Sequence, residues 1–230
     1  METLSPQQPG VCYSDSQKPA SFGRLTLQNR VSDSRGRFVV IIGPDGVGKT
    51  SVARRLIQVH GSPSMYVHFR PRILVPPPEM PGRNESPPPK RSRPSNLVFG
   101  WLRLLYSVPA FWLGYLRWIK PALDHGALVV GDRWGYGYIG QPVALGFRGP
   151  QWLAVAALRL LPRPDLIIRL RGDPNVIARR KVDLTAPEIA YEDSAWDDLP
   201  FKTLDLSAEQ DVGDLARIIT AELSKPAPRD

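Results

Sequence analysis

Cysteine is almost missing from this 230-residue chain. The single one, Cys12, cannot close an internal disulfide, which excludes a disulfide-built secreted module and any zinc site made from several cysteines. Histidine is nearly as scarce, and His60, His68 and His125 are too scattered to suggest a histidine-rich metal site. A long apolar run is lacking too. The aromatic stretch around 97–120 offers 13 uncharged residues between Arg103 and Arg117, interrupted by Pro109, where a membrane-crossing helix needs about 20. It reads instead as a buried or interfacial helical hairpin, broken near Pro109. Residues 1–37 hold no apolar signal core, so the expected compartment is the cytoplasm. Acid is in deficit: 22 acidic against 30 basic residues leave a net charge of +8 and a pI near 9.9. That balance admits polyanionic partners such as nucleotides, nucleic acid or an anionic membrane face. No nucleic-acid recognition motif accompanies the charge, so nucleic acid is not an expected partner.

What is present divides the chain. Hydrophobic residues make up 42%, enough for a core. Residues 1–36 show neither helical nor strand periodicity and read as a flexible N-terminal arm, and 226–230 as a tail. Nine of the 25 prolines fall within 71–94, a density that forbids regular helix or central strand. With Arg70 to Arg103 carrying seven basic and two acidic residues, 71–96 is expected to be a proline-rich basic insert of extended character. Between these segments, strands alternate with helices. Continuous β-branched runs at 38–42, 65–69, 127–130 and 165–170 suit strands buried on both faces of a parallel sheet, with a short fifth at 202–206. Helices are expected at 49–59, with Val52, Leu56 and Val59 on one face, at 152–161, at 173–181 with Pro174 in its first turn, and at 212–223, with Leu215, Ile218, Ile219 and Leu223 aligned. The pattern predicts an α/β fold, a five-stranded parallel sheet flanked by helices in three layers.

The residues Gly43-Pro44-Asp45-Gly46-Val47-Gly48-Lys49-Thr50 match G-x-x-x-x-G-K-[ST], the phosphate-binding loop, between a buried-type strand and an amphipathic helix. Glycines let successive backbone N–H groups point inward around an anion, and the following helix adds its positive dipole end. Gly43, Asp45, Gly46, Val47, Gly48, Lys49, Thr50 and Ser51 are therefore the expected nucleotide-binding residues. Lys49 would reach the β- and γ-phosphates, and the Thr50 hydroxyl would ligate Mg²⁺. Asp132-Arg133 ends another buried strand at the edge where α/β sheets bind ligands. Asp132 is a candidate Mg²⁺ ligand and Arg133 a candidate anion clamp, the alternative being a surface ion pair. Phe69-Arg70-Pro71 leaves the second strand at the same edge, as a stacking face and a further clamp or as a core phenylalanine and a solvated arginine. Arg179, Arg180 and Lys181 end a helix, where the dipole favours them anyway; alternatively an arginine there rides on a lid, 179–199, and reaches the transferring phosphoryl group.

Taken together, FVVIIGPDGVGKTSVARRL, HFRP, LVVGDRW and PDLIIRL-x-x-DP-x-x-x-x-RR resemble the thymidylate kinase family of P-loop nucleoside monophosphate kinases, from Phe38 to about Lys181. The resemblance implies ATP and Mg²⁺ as cofactors and a phosphorylated small molecule, dTMP by default, as acceptor. It also implies a cytoplasmic enzyme and a possible homodimer. By it, Asp45 contacts the acceptor sugar, Arg70 the acceptor phosphate, and Asp132 and Arg133 metal and phosphate. Gly46 stands where some members carry a catalytic arginine, a duty that would pass to Arg180, with Arg179 as rival. Gly137 and Gly140-Gln141-Pro142 replace the family's thymine-reading residues. The proline-rich insert and the aromatic helical segment are similar to divergent thymidylate-kinase-like proteins found with surface-polysaccharide biosynthesis genes. A sugar or glycolipid acceptor, and an ATP-binding regulator without turnover, are the alternatives. Trp101, Tyr106, Phe111, Trp112, Tyr115 and Trp118 are expected to be core or dimer packing rather than a membrane-facing surface.

Overall fold

The computed structural model describes residues 35–68, 97–142, 145–180, 184–197 and 199–225. The proline-rich insert, the tail, most of the N-terminal arm, Phe69, Arg70 and Lys181 lie outside the described residues. Of the expected arm, Gly36 is already built into the fold: its amide donates to the Leu123 carbonyl at 2.9 Å.

The elements run β1 (Arg37–Ile42), α1 (Lys49–His60), β2 (Ser64–His68), α2 (Leu97–Gly114), a π-helical turn (Tyr115–Ile119), α3 (Lys120–Asp124), β3 (Leu128–Asp132), a 3₁₀ turn (Trp134–Tyr136), α4 (Gly137–Gly140), α5 (Gln151–Arg159), β4 (Leu166–Arg171), α6 (Pro174–Arg180), α7 (Ala186–Ser194), β5 (Leu204–Ser207) and α8 (Val212–Leu223). The strands form one five-stranded sheet in the order β2-β3-β1-β4-β5, and every pairing is parallel. β1 sits at the centre. The chain winds first to β2 and β3 on one side, then to β4 and β5 on the other, so the crevice such a reversal creates opens at the carboxyl end of β1.

The sheet is buried on both faces, as its unbroken apolar strands require. Along β1, Phe38, Val40 and Ile42 enter one core, with Phe111, Ile119, Trp134 and Leu158 from the layer of α2 to α5. Val39 and Ile41 enter the other, with Val52, Leu56, Ile177, Ile189, Leu215 and Ile219 from α1, α6, α7 and α8. These are the three expected layers.

Several expectations change in detail. α2 does not break at Pro109: one helix runs from Leu97 to Gly114 with the proline inside it and passes into the π-helical turn without a hairpin. An interior proline costs about 3 kcal/mol, and burial of Leu104, Ala110 and Phe111 on either side offsets it. Of the seven aromatic residues of this segment only Phe111 is fully buried; Phe99, Trp101, Tyr106 and Trp112 are exposed. Val59 is also exposed, because the buried stripe of α1 runs through Val52, Ala53 and Leu56 and leaves the last turn outside. In α8 the stripe is Leu215, Ala216 and Ile219, and Ile218 points outward. Within the expected lid lies a helix that periodicity did not announce. α7 starts at a capping box in which the Thr185 side chain caps the first turn and Glu188 Oε2 accepts from the Thr185 amide at 2.9 Å.

Candidate active site

The loop after β1 takes the shape its glycines allow. Gly43, Gly46 and Gly48 have φ of 138°, 87° and 106°, and Gly48 forms the N-cap of α1 in the left-handed region. At Gly43 the requirement is also steric: a Cβ there would lie 2.5 Å from the Leu170 carbonyl oxygen of β4. Ser51 and Val52 amides bond back to Gly48, whereas the amides of Gly46, Gly48 and Thr50 have no hydrogen bond among the described residues. Such orphan donors at a helix start form an anion-binding nest. Val47 is buried beneath the loop and Ser51 is exposed on the outer side of α1.

Lys49 is buried, with only 6% of its surface exposed. Its ammonium lies inside the loop, donating to the carbonyls of Gly43 at 2.9 Å and Pro44 at 2.7 Å, 3.7 Å from Asp45 Oδ1. Asp45 is also ion-paired with Arg133. Arg133 and Trp134 adopt φ of 64° and 45°, conformations that side chains other than glycine rarely hold. The Trp134 ring over-determines this turn: it packs edge-on against Phe111 at 4.8 Å and Phe38 at 5.4 Å between ring centres. That anchoring turns the guanidinium of Arg133 back to the phosphate loop. Burial holds the Arg133 pKa below its ordinary value, and Glu192 opposes the shift; the group remains charged.

Asp132 ends β3 between two strands. The parallel register sets it opposite Ile41 of β1 and His68 of β2. Its Oδ2 accepts from the Tyr66 hydroxyl at 3.0 Å and lies 3.1 Å from His68 Nδ1. Its Oδ1 is buried without a hydrogen-bond partner, the nearest cationic nitrogen being Arg133 Nε at 4.0 Å. Burial alone would push this carboxyl up, but the His68 hydrogen bond, the Lys49 ammonium and Tyr66 outweigh it and hold Asp132 below the usual carboxylate range. Tyr66 is pushed far up by burial, then by Asp132, with the Thr50 hydroxyl pulling the other way. It is therefore a permanent donor that links Thr50 and Asp132. An ionised carboxylate with one oxygen unclaimed, beside a hydroxyl, is a donor set suited to a hard cation such as Mg²⁺.

α7 closes over this edge of the sheet. Glu192 Oε2 accepts from Gln141 Nε2 at 2.8 Å and from the Asp45 amide at 3.4 Å. Beside it, Arg169 of β4, only 3% exposed, donates to Asp197 Oδ1 at 2.8 Å and to the Asp193 carbonyl at 2.6 Å. Trp196 lies flat against Gly140, where any Cβ would fall 1.8 Å from the indole. The glycine at 140 thus has a packing cause.

Of the residues expected from sequence, the structure brings together Asp45, Lys49, Thr50, Asp132 and Arg133. Arg179 and Arg180 sit exposed at the end of α6, with no ion pair to this cluster among the described residues. Tyr66, His68, Gln141, Arg169 and Glu192 were not expected. His68 was legible in principle, since it and Asp132 end strands that reach the same edge. The Thr185-to-Glu188 spacing likewise signals the helix that carries Glu192.

No protein-family model matches this chain, and no curated protein matches it in sequence. Solved structures do match in fold. The thymidylate kinase of Candida albicans aligns with a TM-score of 0.54 at 21% identity, over 85% of this chain and 96% of that one. The chain has the P-loop fold of that enzyme, a five-stranded parallel sheet flanked by helices.

Proposed function

We propose that this protein is an ATP- and Mg²⁺-dependent phosphotransferase that moves the γ-phosphoryl group of ATP to an acceptor which is itself phosphorylated. One observation carries the reading: the buried Lys49 ammonium and the Asp132 carboxylate, with its unclaimed Oδ1, interact beside a loop in which the amides of Gly46, Gly48 and Thr50 carry no hydrogen bond among the described residues. Phosphoryl transfer needs positioning and charge stabilisation rather than a covalent nucleophile, so the lack of a nucleophile triad is no objection. The loop amides and Lys49 hold the donor phosphates and neutralise charge as it shifts to the leaving oxygen. Thr50 and Asp132 would hold Mg²⁺, which would supply neutralising charge to the phosphates. Among the described residues no cluster of three acids or histidines could hold a metal alone; Mg²⁺ in such sites takes one or two protein oxygens and the substrate's phosphates.

Acceptor recognition falls to Arg133 and Asp45, paired across the crevice, with Phe69 and Arg70 as the stacking face and phosphate clamp. Arg180, or Arg179 beside it, is the lid arginine. Thymidylate, the substrate named for the structural neighbour, is the first acceptor to try. Sugar phosphates and glycolipids come next, since Gly137 and Gly140 replace the residues expected to read thymine.

The test is ADP release by the purified chain with ATP and Mg²⁺ across nucleoside monophosphates, sugar phosphates and glycolipids. Acceptor-dependent release is expected. In Lys49→Ala, kcat should fall a hundred- to a thousandfold, about the effect of losing one preorganised charge-stabilising group, while circular dichroism stays unchanged. Near-wild-type turnover in that variant, or no acceptor-dependent release from the whole panel, would overturn the assignment.

A further inference from the structure

We propose that the outer face of α2 and α5 docks on an anionic lipid bilayer. The proposal is independent of the phosphotransfer reading. α2 and the π-helical turn that continues it present a continuous apolar stripe to solvent at helical spacing: Leu102, Leu105, Leu113 and Leu116, flanked by Trp101 and Trp112, all exposed, Leu105 to 72%. At 1.5 Å per residue the stripe from Trp101 to Leu116 extends over roughly 22 Å. α5 lies alongside and lengthens the surface. Trp112 Nε1 donates to the Leu160 carbonyl at 2.8 Å, and a Cβ at Gly149 would lie 2.9 Å from Trp101 Nε1. Each end of α5 thus meets α2, and Trp152 and Leu160 are 66% and 64% exposed. Scattered exposed leucines need no explanation, but a contiguous apolar surface of this kind marks an interaction site.

The charges on this face select the partner. Residues 97–123 and 145–164 contain no aspartate or glutamate. Their charged residues are Arg103, Arg117, Lys120, Arg148, Arg159 and Arg163, all basic and all exposed. The first acid beyond, Asp124, is paired with Lys120 at 2.7 Å. An apolar stripe rich in tryptophan and leucine, bordered only by cations, is the pattern of a surface that sinks its side chains to the acyl boundary and sets its cations against lipid phosphates. A second copy of the chain fits less well. In a two-fold contact the face meets itself, and arginines would be buried against arginines with no acid to pair them. The insert that precedes α2 in sequence is itself basic and supplies no surplus of acid. The surface lies on the bilayer rather than through it, since among the described residues no helix is long and apolar enough to cross a membrane.

Co-sedimentation of the full chain with phosphatidylcholine vesicles containing phosphatidylglycerol, against phosphatidylcholine alone, tests this. Pelleting with the anionic vesicles only is expected, weakening as salt is raised. Two double variants separate the contributions, and both change exposed side chains outside the candidate active site. Leu105→Gln with Leu116→Gln removes apolar contact, and Arg103→Glu with Arg117→Glu reverses charge. Each should lower vesicle affinity at least about tenfold, given roughly 1 kcal/mol per basic residue at such a surface and a comparable loss for each apolar side chain withdrawn, with unchanged circular dichroism. Absence of pelleting, equal pelleting on neutral vesicles, or variants that bind like wild type would overturn the proposal. So would a dimer, seen by light scattering, that Leu105→Gln dissolves while vesicles capture nothing.

Discussion

The two helical layers bury the same sheet equally well yet present opposite surfaces to their surroundings. On one side Leu56 and Ile219 are fully buried, on the other Phe111 and Ile119. Outside, α1 and α8 expose Arg54, Arg55, Gln58, Asp214 and Arg217, with Val59 and Ile218 as isolated apolar residues. Outside α2 and α5 stand leucines, tryptophans and cations, with no acid between them. Closing a core asks only for an apolar inner stripe on each helix. The outer surface is free of that demand, so its composition reports on partners rather than on folding.

The sharpest way to break the comparison is to truncate inner and outer positions in parallel. Phe111→Ala is expected to lower the unfolding free energy by about 3 to 5 kcal/mol and Ile219→Ala by about 2 to 5. Leu105→Ala should stay within about 0.5 kcal/mol, all read by denaturant titration. A Leu105→Ala cost as large as that of Phe111→Ala would mean the outer stripe is covered in solution. Next comes Arg169→Met, confined to the layer that carries α7. Burial alone would lower the Arg169 pKa, but the carboxylates of Asp197 and Asp193 outweigh it and raise it. Losing these charged hydrogen bonds should cost about 2 to 3 kcal/mol. Amide exchange should quicken over 186–194 and stay unchanged over α2; uniform quickening would refute a local tether. The smallest effect belongs to Thr185→Ala, which removes the α7 cap for about 1 kcal/mol. It should fray the first turn of α7 without touching vesicle binding.

Much of the frame was legible because it is local. The β-branched run before Gly43 announced a buried strand, Pro174 and the stripe of 212–223 announced helices, and the glycine spacing of 43–50 announced a tight turn between strand and helix. The errors have local causes of another kind. Pro109 was read as a break because propensity acts before packing is counted, and Leu104 and Phe111 reverse the balance. Val59 and Ile218 were placed inward because periodicity gives the width of a stripe but not its centre. The candidate site divided the same way. Lys49 and Thr50 follow from the loop alone, whereas His68, in sequence one of three scattered histidines, gains its partner only when β2 and β3 pair in register.

A chain segment decides by itself what its own backbone can do. The loop 43–50 needs glycine torsions and a helix start, both encoded within a few residues, so the shape of this loop was settled in sequence. Tertiary structure alone decided that Tyr66 and His68 would meet Asp132, and that Arg169 would hold Asp193 and Asp197. It also decided that Glu192 would reach the amide of Asp45, and that the leucines of α2 would face outward. Each of these joins groups tens of residues or more apart, or depends on which side of a helix finds the sheet. Such pairings follow from parallel register and layer packing, which are properties of the closed fold and of no single stretch of the chain.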